Sequence, residues 1–278
     1  MSNSCIIFAC TILSKDRLFV LQEFLNSFET HFKNTDIYVG INTGTLPEAI
    51  DLINSSKLNI QSIDYGVEQL YTQSDASAFQ IALHSLKLSN KEYSNYWFVH
   101  TKGAVNPHSD YLRKWYLDNF ISDRHNVEKY IEEHDVGSYG KLGLNYQYGK
   151  KYNETDTEIP LFENIITEDL PYPHATFFYL HTIYVINKNP MRKFMELITD
   201  TWFNSKLDRY YFEGIFPFIV SRTGHYPYIE NRIDCLNQDL QPPMECWLVH
   251  NKLEHNLKYK TDFHFNQLTP PYTNNNIC

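Results

Sequence analysis

The stretch Tyr96-Trp97-Phe98-Val99-His100-Thr101-Lys102-Gly103 carries two kinds of chemistry in direct succession. Tyr96–His100 is an apolar, aromatic run that reads as a buried strand. It delivers an imidazole, a hydroxyl and an ammonium onto a turn where Gly103 permits close backbone approach or a positive φ. Such a turn suits a phosphate, since Lys102 supplies a point charge while Thr101 and the backbone N–H groups supply donors. A strand ending in a polar turn with a solvated lysine has the same pattern.

Strand and helix signals alternate upstream of this stretch. Cys5–Leu13 is a continuous apolar run, as expected of a strand buried on both faces. Leu18, Leu21, Phe24, Leu25 and Phe28 then repeat at helical spacing within Lys15–Phe32, with Ser14 placed to cap the helix. Asp36–Asn42 reads as a second strand, Pro47–Asn54 as a helix with its proline early, and Leu58–Ile63 as a third strand. Ser74–Leu88 is a helix capped by Ser74 or Asp75. This alternation implies an α/β fold with a mainly parallel central sheet flanked by helices. Ligands of such sheets sit beyond the C-terminal strand ends, here Thr11–Asp16, Asn42–Gly44, Asp64–Asp75 and His100–Gly103. Downstream, Ser109–Ile121, Arg124–His134, Met191–Trp202 and Asp208–Val220 read as helices and Phe177–Asn187 as a strong strand. The Pro-rich, aromatic tail from Tyr226 is expected to wrap the core.

Composition narrows the function. Of 278 residues 42% are apolar and 15% aromatic, which rules out a disordered chain. No run approaches a membrane span, and Met1–Leu13 lacks the basic region and cleavage site of a secretory signal. The net charge of −9 argues against sequence-independent nucleic-acid binding, which needs Lys and Arg to neutralise phosphates. Cys5, Cys10, Cys235, Cys246 and Cys278 are odd in number and scattered, so they read as reduced thiols of a cytoplasmic protein.

The order of elements resembles the GT-A nucleotide-sugar glycosyltransferases. Where many of these carry a metal-binding Asp-x-Asp, this chain has His100-Thr101-Lys102-Gly103, similar to bacterial and viral glycosyltransferases with an HTKG turn. Pro173-His174-Ala175-Thr176-Phe177-Phe178 corresponds to an acceptor-side loop and strand, and Arg209-Tyr210-Tyr211-Phe212-Glu213-Gly214 to a Glu-bearing helix start. The group most similar is the short chlorovirus glycosyltransferases that build a capsid-protein N-glycan, of the UDP-xylose-dependent xylosyltransferase type. The resemblance covers most of residues 1–225. It implies a GT-A-like, Rossmann-type nucleotide-sugar-binding fold in a single domain over 1–278. Its parts would be a nucleotide-sugar-binding half at 1–105, an acceptor and catalytic half at 106–225 and a tail at 226–278. It further implies transfer of a sugar, xylose by preference, from a nucleotide-sugar donor to a glycan hydroxyl, in the cytoplasm of an infected host cell.

The residues then take expected roles. A departing nucleoside diphosphate needs its charge stabilised, and without the Asp-x-Asp the first candidate is Lys102, with Arg113, Lys114 and Arg209 as helpers. The transferase is therefore expected to need no cofactor and to be metal-independent or weakly metal-dependent, with no metal ligand assigned. Asp156-Thr157-Glu158 has metal-motif spacing but lies in a polar loop. Inverting transfer needs a base near the acceptor hydroxyl. Glu213 leads, within an otherwise apolar segment, followed by Asp208 and Asp75. Glu213 reads equally well as a helix-start charge or as the ion-pair partner of Arg209, and Asp75 as an N-cap. His181 reads as a core histidine. Donor contacts are assigned to Thr11, Ser14, Arg17, Asn42, Thr43, His100, Thr101, Lys102 and Gly103, the earlier of which read as well as caps and turn residues. Acceptor contacts fall to Trp115, His174 and Tyr211, with Tyr116 a further stacking candidate. Two other classes remain: a non-catalytic glycan-binding scaffold on a decayed GT-A fold, and a nucleotidyltransferase. Thr11–Arg17 lacks the glycine-rich loop expected of the latter.

Overall fold

The computed structural model describes residues 3–66, 75–134, 137–144, 177–203, 212, 216 and 227–229. One sheet runs through them in the order β3-β2-β1-β4-β6-β5-β7. Its first four strands, β1 (Ser4–Cys10), β2 (Asp36–Ile41), β3 (Asn59–Tyr65) and β4 (Asn95–His100), are parallel. β6 (Phe177–Asn187) runs antiparallel to β4 and to β5 (Ser138–Leu144), and β7 (Pro227–Ile229) adds parallel to β5. The architecture is thus mixed α/β, a mostly parallel sheet flanked by helices.

Both faces of the sheet are covered, which is why β1 and β4 read as unbroken apolar runs. One face packs against α1 (Leu18–His31), α2 (Pro47–Ser55), α4 (Asp110–Tyr116) and α5 (Arg124–His134), around Phe8, Phe24, Phe28, Trp97 and Tyr116. The other packs against α3 (Asp75–Ser89), α6 (Lys188–Leu197) and α7 (Asp200–Phe203), around Phe79, Phe98, Tyr184, Phe194 and Trp202. Phe212 and Phe216 are buried in this second core. α3 crosses β2 so closely that a Cβ on Gly40 would overlap the Ala78 carbonyl.

Several elements differ from the sequence reading. β1 stops at Cys10 rather than Leu13, because Thr11 and Ile12 turn their backbone toward Thr101 and Thr45. Ser14 makes no side-chain cap; a 3-10 turn, Lys15–Arg17, leads into α1 instead. Ser109–Ile121 is not one helix but a 3-10 turn Pro107–Ser109, α4, and a π-helical segment Leu117–Ile121. Met191–Trp202 is divided between α6 and α7, and α6 begins earlier, capped by the Asn187 side chain accepting from the Asn189 N–H. The 208–220 helix and the tail beyond 226 lie largely outside the described residues; within the tail, Pro227–Ile229 extends the sheet.

The chain builds β1, β2 and β3 outward in one direction, then returns to place β4 on the other side of β1. Strand order therefore reverses between β1 and β4, and ligands of open α/β sheets bind beyond the C-terminal strand ends at such a reversal. Next to it, β6 departs from regular pairing. Its ladder with β4 ends at Phe98 opposite Tyr184, so that continuing the register would bring His100 opposite Thr182. There Thr182 adopts φ 53°, a left-handed conformation that β-branched residues rarely take. The β5–β6 register also jumps here, from Gly140–Tyr184 to Leu142–Tyr179. Bulged strands with unusual backbone concentrate beside functional sites.

Candidate functional site

The C-terminal ends of β1, β2 and β4 are laced together by polar side chains. The Thr11 N–H donates to Thr101 Oγ1 at 3.0 Å, and the Thr101 hydroxyl donates back to the Thr11 carbonyl at 3.1 Å. The Asn42 amide donates to Thr11 Oγ1 at 3.3 Å, while its oxygen accepts from Ser77 Oγ and from the Thr43 N–H. Thr11, Asn42, Ser77 and Thr101 are all buried. A parallel sheet leaves the last N–H and C=O groups of each strand unpaired, and these side chains supply partners for them.

A second cluster fixes the turn after β4. Arg17, buried, donates to the Gly103 carbonyl at 2.5 Å and pairs with both oxygens of Asp110. Arg113 bridges Asp110 at 2.5 Å and Glu23 at 2.6 Å. Both guanidiniums also lie over the Phe19 ring, at 4.9 and 5.2 Å. Desolvation pushes the Asp110 carboxyl up, but the two guanidiniums outweigh it and hold the group below the usual carboxylate range. Gly103 sits against this cluster with φ 87°. A Cβ there would lie 2.7 Å from Arg113 Nη1 and 2.9 Å from Asp110 Oδ1.

A third contact joins α3 to β4: His100 Nδ1 lies 2.8 Å from Asp75 Oδ2. The imidazole is buried, whereas the Asp75 side chain is about one-third exposed. Burial, followed by the Asp75 charge, pushes the neighbouring Cys10 thiol well up, away from the thiolate form.

The buried polar atoms left over are concentrated here. Among the described residues, four buried side-chain atoms lack a hydrogen-bond partner: Arg17 Nε, Thr43 Oγ1, His100 Nε2 and Ser62 Oγ. Arg17 follows β1, Thr43 follows β2 and His100 ends β4. A buried group without a partner costs roughly 1–3 kcal/mol, and native proteins tolerate few of them. Three of the four lie at one end of one sheet.

The structure sorts the sequence-derived donor residues accordingly. Thr11, Asn42 and Thr101 are committed to tying the strands together, and Arg17 to holding the 101–103 turn. Thr43, His100, Lys102 and Gly103 stand at the same end of the sheet, His100 paired with Asp75 and Lys102 half-buried. Ser14 is half-buried, its carbonyl accepting from the Arg17 N–H. Of the helpers to Lys102, Arg113 is spent on Asp110 and Glu23. Trp115 and Tyr116 stack edge-on at 5.2 Å against the α1-side core. Glu213, Asp208, His174 and Tyr211 lie outside the described residues, as do Arg209 and Asp156-Thr157-Glu158. Asp75 sits beside His100, so these two sequence candidates form one unit. Asp110 and Ser77 went unnoticed in the sequence, because the partners that give them a role are distant along the chain.

The metal-binding arrangement of the GT-A enzymes does not fit these residues. Mg²⁺ and Mn²⁺ favour oxygen ligands. The β4 end offers an imidazole held by Asp75, a hydroxyl held by Thr11 and an ammonium that repels cations. Among the described residues no three His, Cys, Asp or Glu side chains come together as a metal site. No helix among them is long and apolar enough to cross a membrane.

No family model matches the chain. A probable polyketide synthase 41 of Dictyostelium discoideum is 31% identical over 102 residues, which is 36% of this chain and 4% of that protein. The chain thus spans a small fraction of that relative's length. Among solved structures, core-mannan synthase A of Aspergillus fumigatus, in its Mn/GDP form, aligns with a TM-score of 0.36 and 9% identity. That alignment covers 82% of this chain and 73% of the other. Neither likeness assigns the chain to a family, and the functional reading rests on the strand-end geometry.

Proposed function

We infer that the chain is a glycosyltransferase of GT-A type, moving a sugar from a nucleoside diphosphate to a glycan hydroxyl. The observation that carries this reading is the coincidence of the β1–β4 reversal with buried, partnerless polar atoms on Arg17, Thr43 and His100. Open α/β sheets bind nucleotides at such a reversal. The HTKG turn offers the diphosphate a cation at Lys102, on a backbone fixed by the hydrogen bond from Arg17 to the Gly103 carbonyl.

In this reading the donor lies across the ends of β1, β2 and β4, its diphosphate against Lys102. As the sugar–phosphate bond breaks, negative charge builds on the leaving oxygen and Lys102 stabilises it. The acceptor hydroxyl attacks the anomeric carbon from the opposite side, its proton passing to a carboxylate, Glu213 or Asp208, and the configuration inverts. Fixed cations in place of acidic ligands make the reaction metal-independent. UDP-xylose is the donor we favour, giving a β-linked xylose on a glycan such as a viral capsid N-glycan; bulky side chains at the sugar would then exclude a hydroxymethyl group.

Thermal shift and calorimetry with UDP, UDP-xylose, UDP-glucose, UDP-galactose and GDP-sugars, in EDTA and then in Mn²⁺, test this. A ligand at 100 times its dissociation constant stabilises the fold by about 2.7 kcal/mol. One donor is expected to bind in EDTA, with at least about tenfold weaker binding in Lys102→Ala, or about 1.4 kcal/mol. Binding only with Mn²⁺ would refute metal independence. No binding to any nucleotide would refute the transferase and favour a glycan-binding scaffold.

A further inference from the structure

The Asp75–His100 pair has a chemical polarity of its own. A carboxylate oxygen can only accept a hydrogen bond, so at 2.8 Å from Asp75 Oδ2 the Nδ1 of His100 carries the hydrogen. In the neutral ring that leaves Nε2 with a bare lone pair. This nitrogen is buried and has no partner among the described residues. The pair stands where the β4–β6 ladder has ended and Thr182 holds its left-handed backbone, beside the strand-order reversal. The arrangement is the orienting half of a catalytic triad, a carboxylate fixing an imidazole whose far nitrogen awaits a proton-bearing group.

We propose that His100 Nε2, its tautomer set by Asp75, accepts a hydrogen bond from a sugar hydroxyl of the substrate, making the pair a hydroxyl-reading element distinct from the charge-neutralising Lys102. The inference rests on the nucleotide-sugar reading above. A lone pair is a poor partner for a phosphate oxygen and a good one for an O–H. A buried acceptor of this kind rejects an analogue lacking the hydroxyl, since nothing else satisfies it. Two hydroxyls share that chemistry: one on the ribose of the donor, and one on the acceptor, where His100 would serve as the base. In the second case the O–H bond breaks, its proton moves to Nε2, the oxygen bonds to the anomeric carbon, and the nucleoside diphosphate leaves with the electron pair.

The test compares UDP and GDP with their 2′- and 3′-deoxy counterparts by calorimetry, and follows UDP-xylose hydrolysis with water standing in for the acceptor. His100→Asn keeps a donor for Asp75 and removes the Nε2 acceptor. Asp75→Asn can donate to Nδ1 and so turns Nε2 into a donor. With a ribose hydroxyl as the source, the wild type prefers one ribonucleotide to a deoxy counterpart by tenfold or more, and both variants cut that preference below about threefold. With an acceptor hydroxyl as the source, ribose and deoxyribose bind alike, and hydrolysis falls a hundredfold in His100→Asn at unchanged donor affinity. Nucleotide binding with affinity, discrimination and hydrolysis all unchanged in His100→Asn overturns the proposal and leaves the transferase standing. No nucleotide binding to the wild type overturns both. A measurement independent of variant folding is the ¹⁵N spectrum of histidine-labelled wild type. A buried imidazole with protonated Nδ1 and bare Nε2 is expected, its Nε2 resonance moving when nucleotide is added. The opposite tautomer would overturn the assignment.

Discussion

Arg17 Nη2 donates to the Gly103 carbonyl at 2.5 Å, so the turn that ends β4 is held by a side chain from the start of the α1 segment. Arg17, Asp110 and Arg113 surround Gly103 closely enough that no side chain fits there. The most conspicuous basic residue of the first loop thus spends its Nη atoms on protein, setting the backbone on which Lys102 is mounted, while its Nε is left over.

Gly103→Ala combines a left-handed backbone with contacts of 2.7 and 2.9 Å to the Arg113 and Asp110 side chains. A loss of ~1–3 kcal/mol is expected in urea unfolding. Nucleotide affinity should fall more than that of a surface glycine variant. Stability within about 0.5 kcal/mol of wild type, the range of ordinary surface changes, would show that the cluster moves aside freely.

Thr101→Val removes a hydroxyl that pairs with both the N–H and the C=O of Thr11. The buried Thr11 N–H then lacks its partner, at a cost of ~1–3 kcal/mol by denaturant titration. Thr101→Ser keeps the hydroxyl and should recover most of the loss. Equal destabilisation by both changes would point to the methyl group instead.

Asp110 titrates below its usual range because Arg17 and Arg113 outweigh its desolvation. With the folded value depressed, its contribution to stability is present above the unfolded value near ~3.9 and fades as pH falls through the folded one. Asp110→Asn should therefore be less stable than wild type at pH 7, with the gap closing below about pH 4. A gap independent of pH from 7 to 2 would refute the charge pairing.

Burial pushes the Tyr96 phenol up to about 12. Burial and a 2.6 Å hydrogen bond to Asp36 raise that of Tyr93 further. Both phenols stay protonated well above the ordinary tyrosine range near ~10, and the stability from this preference is lost only as pH rises through the folded values. Tyr93→Phe and Tyr96→Phe should leave the tyrosinate absorbance gained between pH 8 and 11 unchanged. A drop equivalent to one tyrosine in either variant would refute the assignment.

Elements that bury apolar runs were legible in the sequence, and tertiary ties were not. β1, β2 and β4 show continuous hydrophobicity because both faces of the sheet are covered. β5 escaped notice because Ser138–Leu144 holds two glycines and a lysine. Pro190 obscured the start of α6, though it lies in the first turn, where a missing N–H costs nothing. The strand ends were legible as a gathering place for polar groups, since parallel topology alone fixes where those ends lie. Which of those groups tie the strands together was not legible, because Thr11 meets Thr101, and Arg17 meets Asp110, only after β4 has closed on β1. Asp75 and His100 were each visible as chemistry-bearing residues, but their pairing depends on α3 delivering its first residue to the end of β4.

The reversal of strand order also imposes a schedule on synthesis. β1 leaves the ribosome first and finds β2 soon after, but its other edge waits for β4, as the 90 residues between Thr11 and Thr101 measure. Throughout that interval one of the most apolar strands in the chain carries an open row of backbone donors and acceptors, the kind of edge that recruits foreign strands. Chaperone demand and aggregation in a translating extract should therefore peak in chains stalled just short of Asn95 and drop once His100 has emerged and β4 can seal the edge. Sealing of this edge and assembly of the strand-end ties then coincide, since the pairing that closes β1 also brings Thr101 to Thr11.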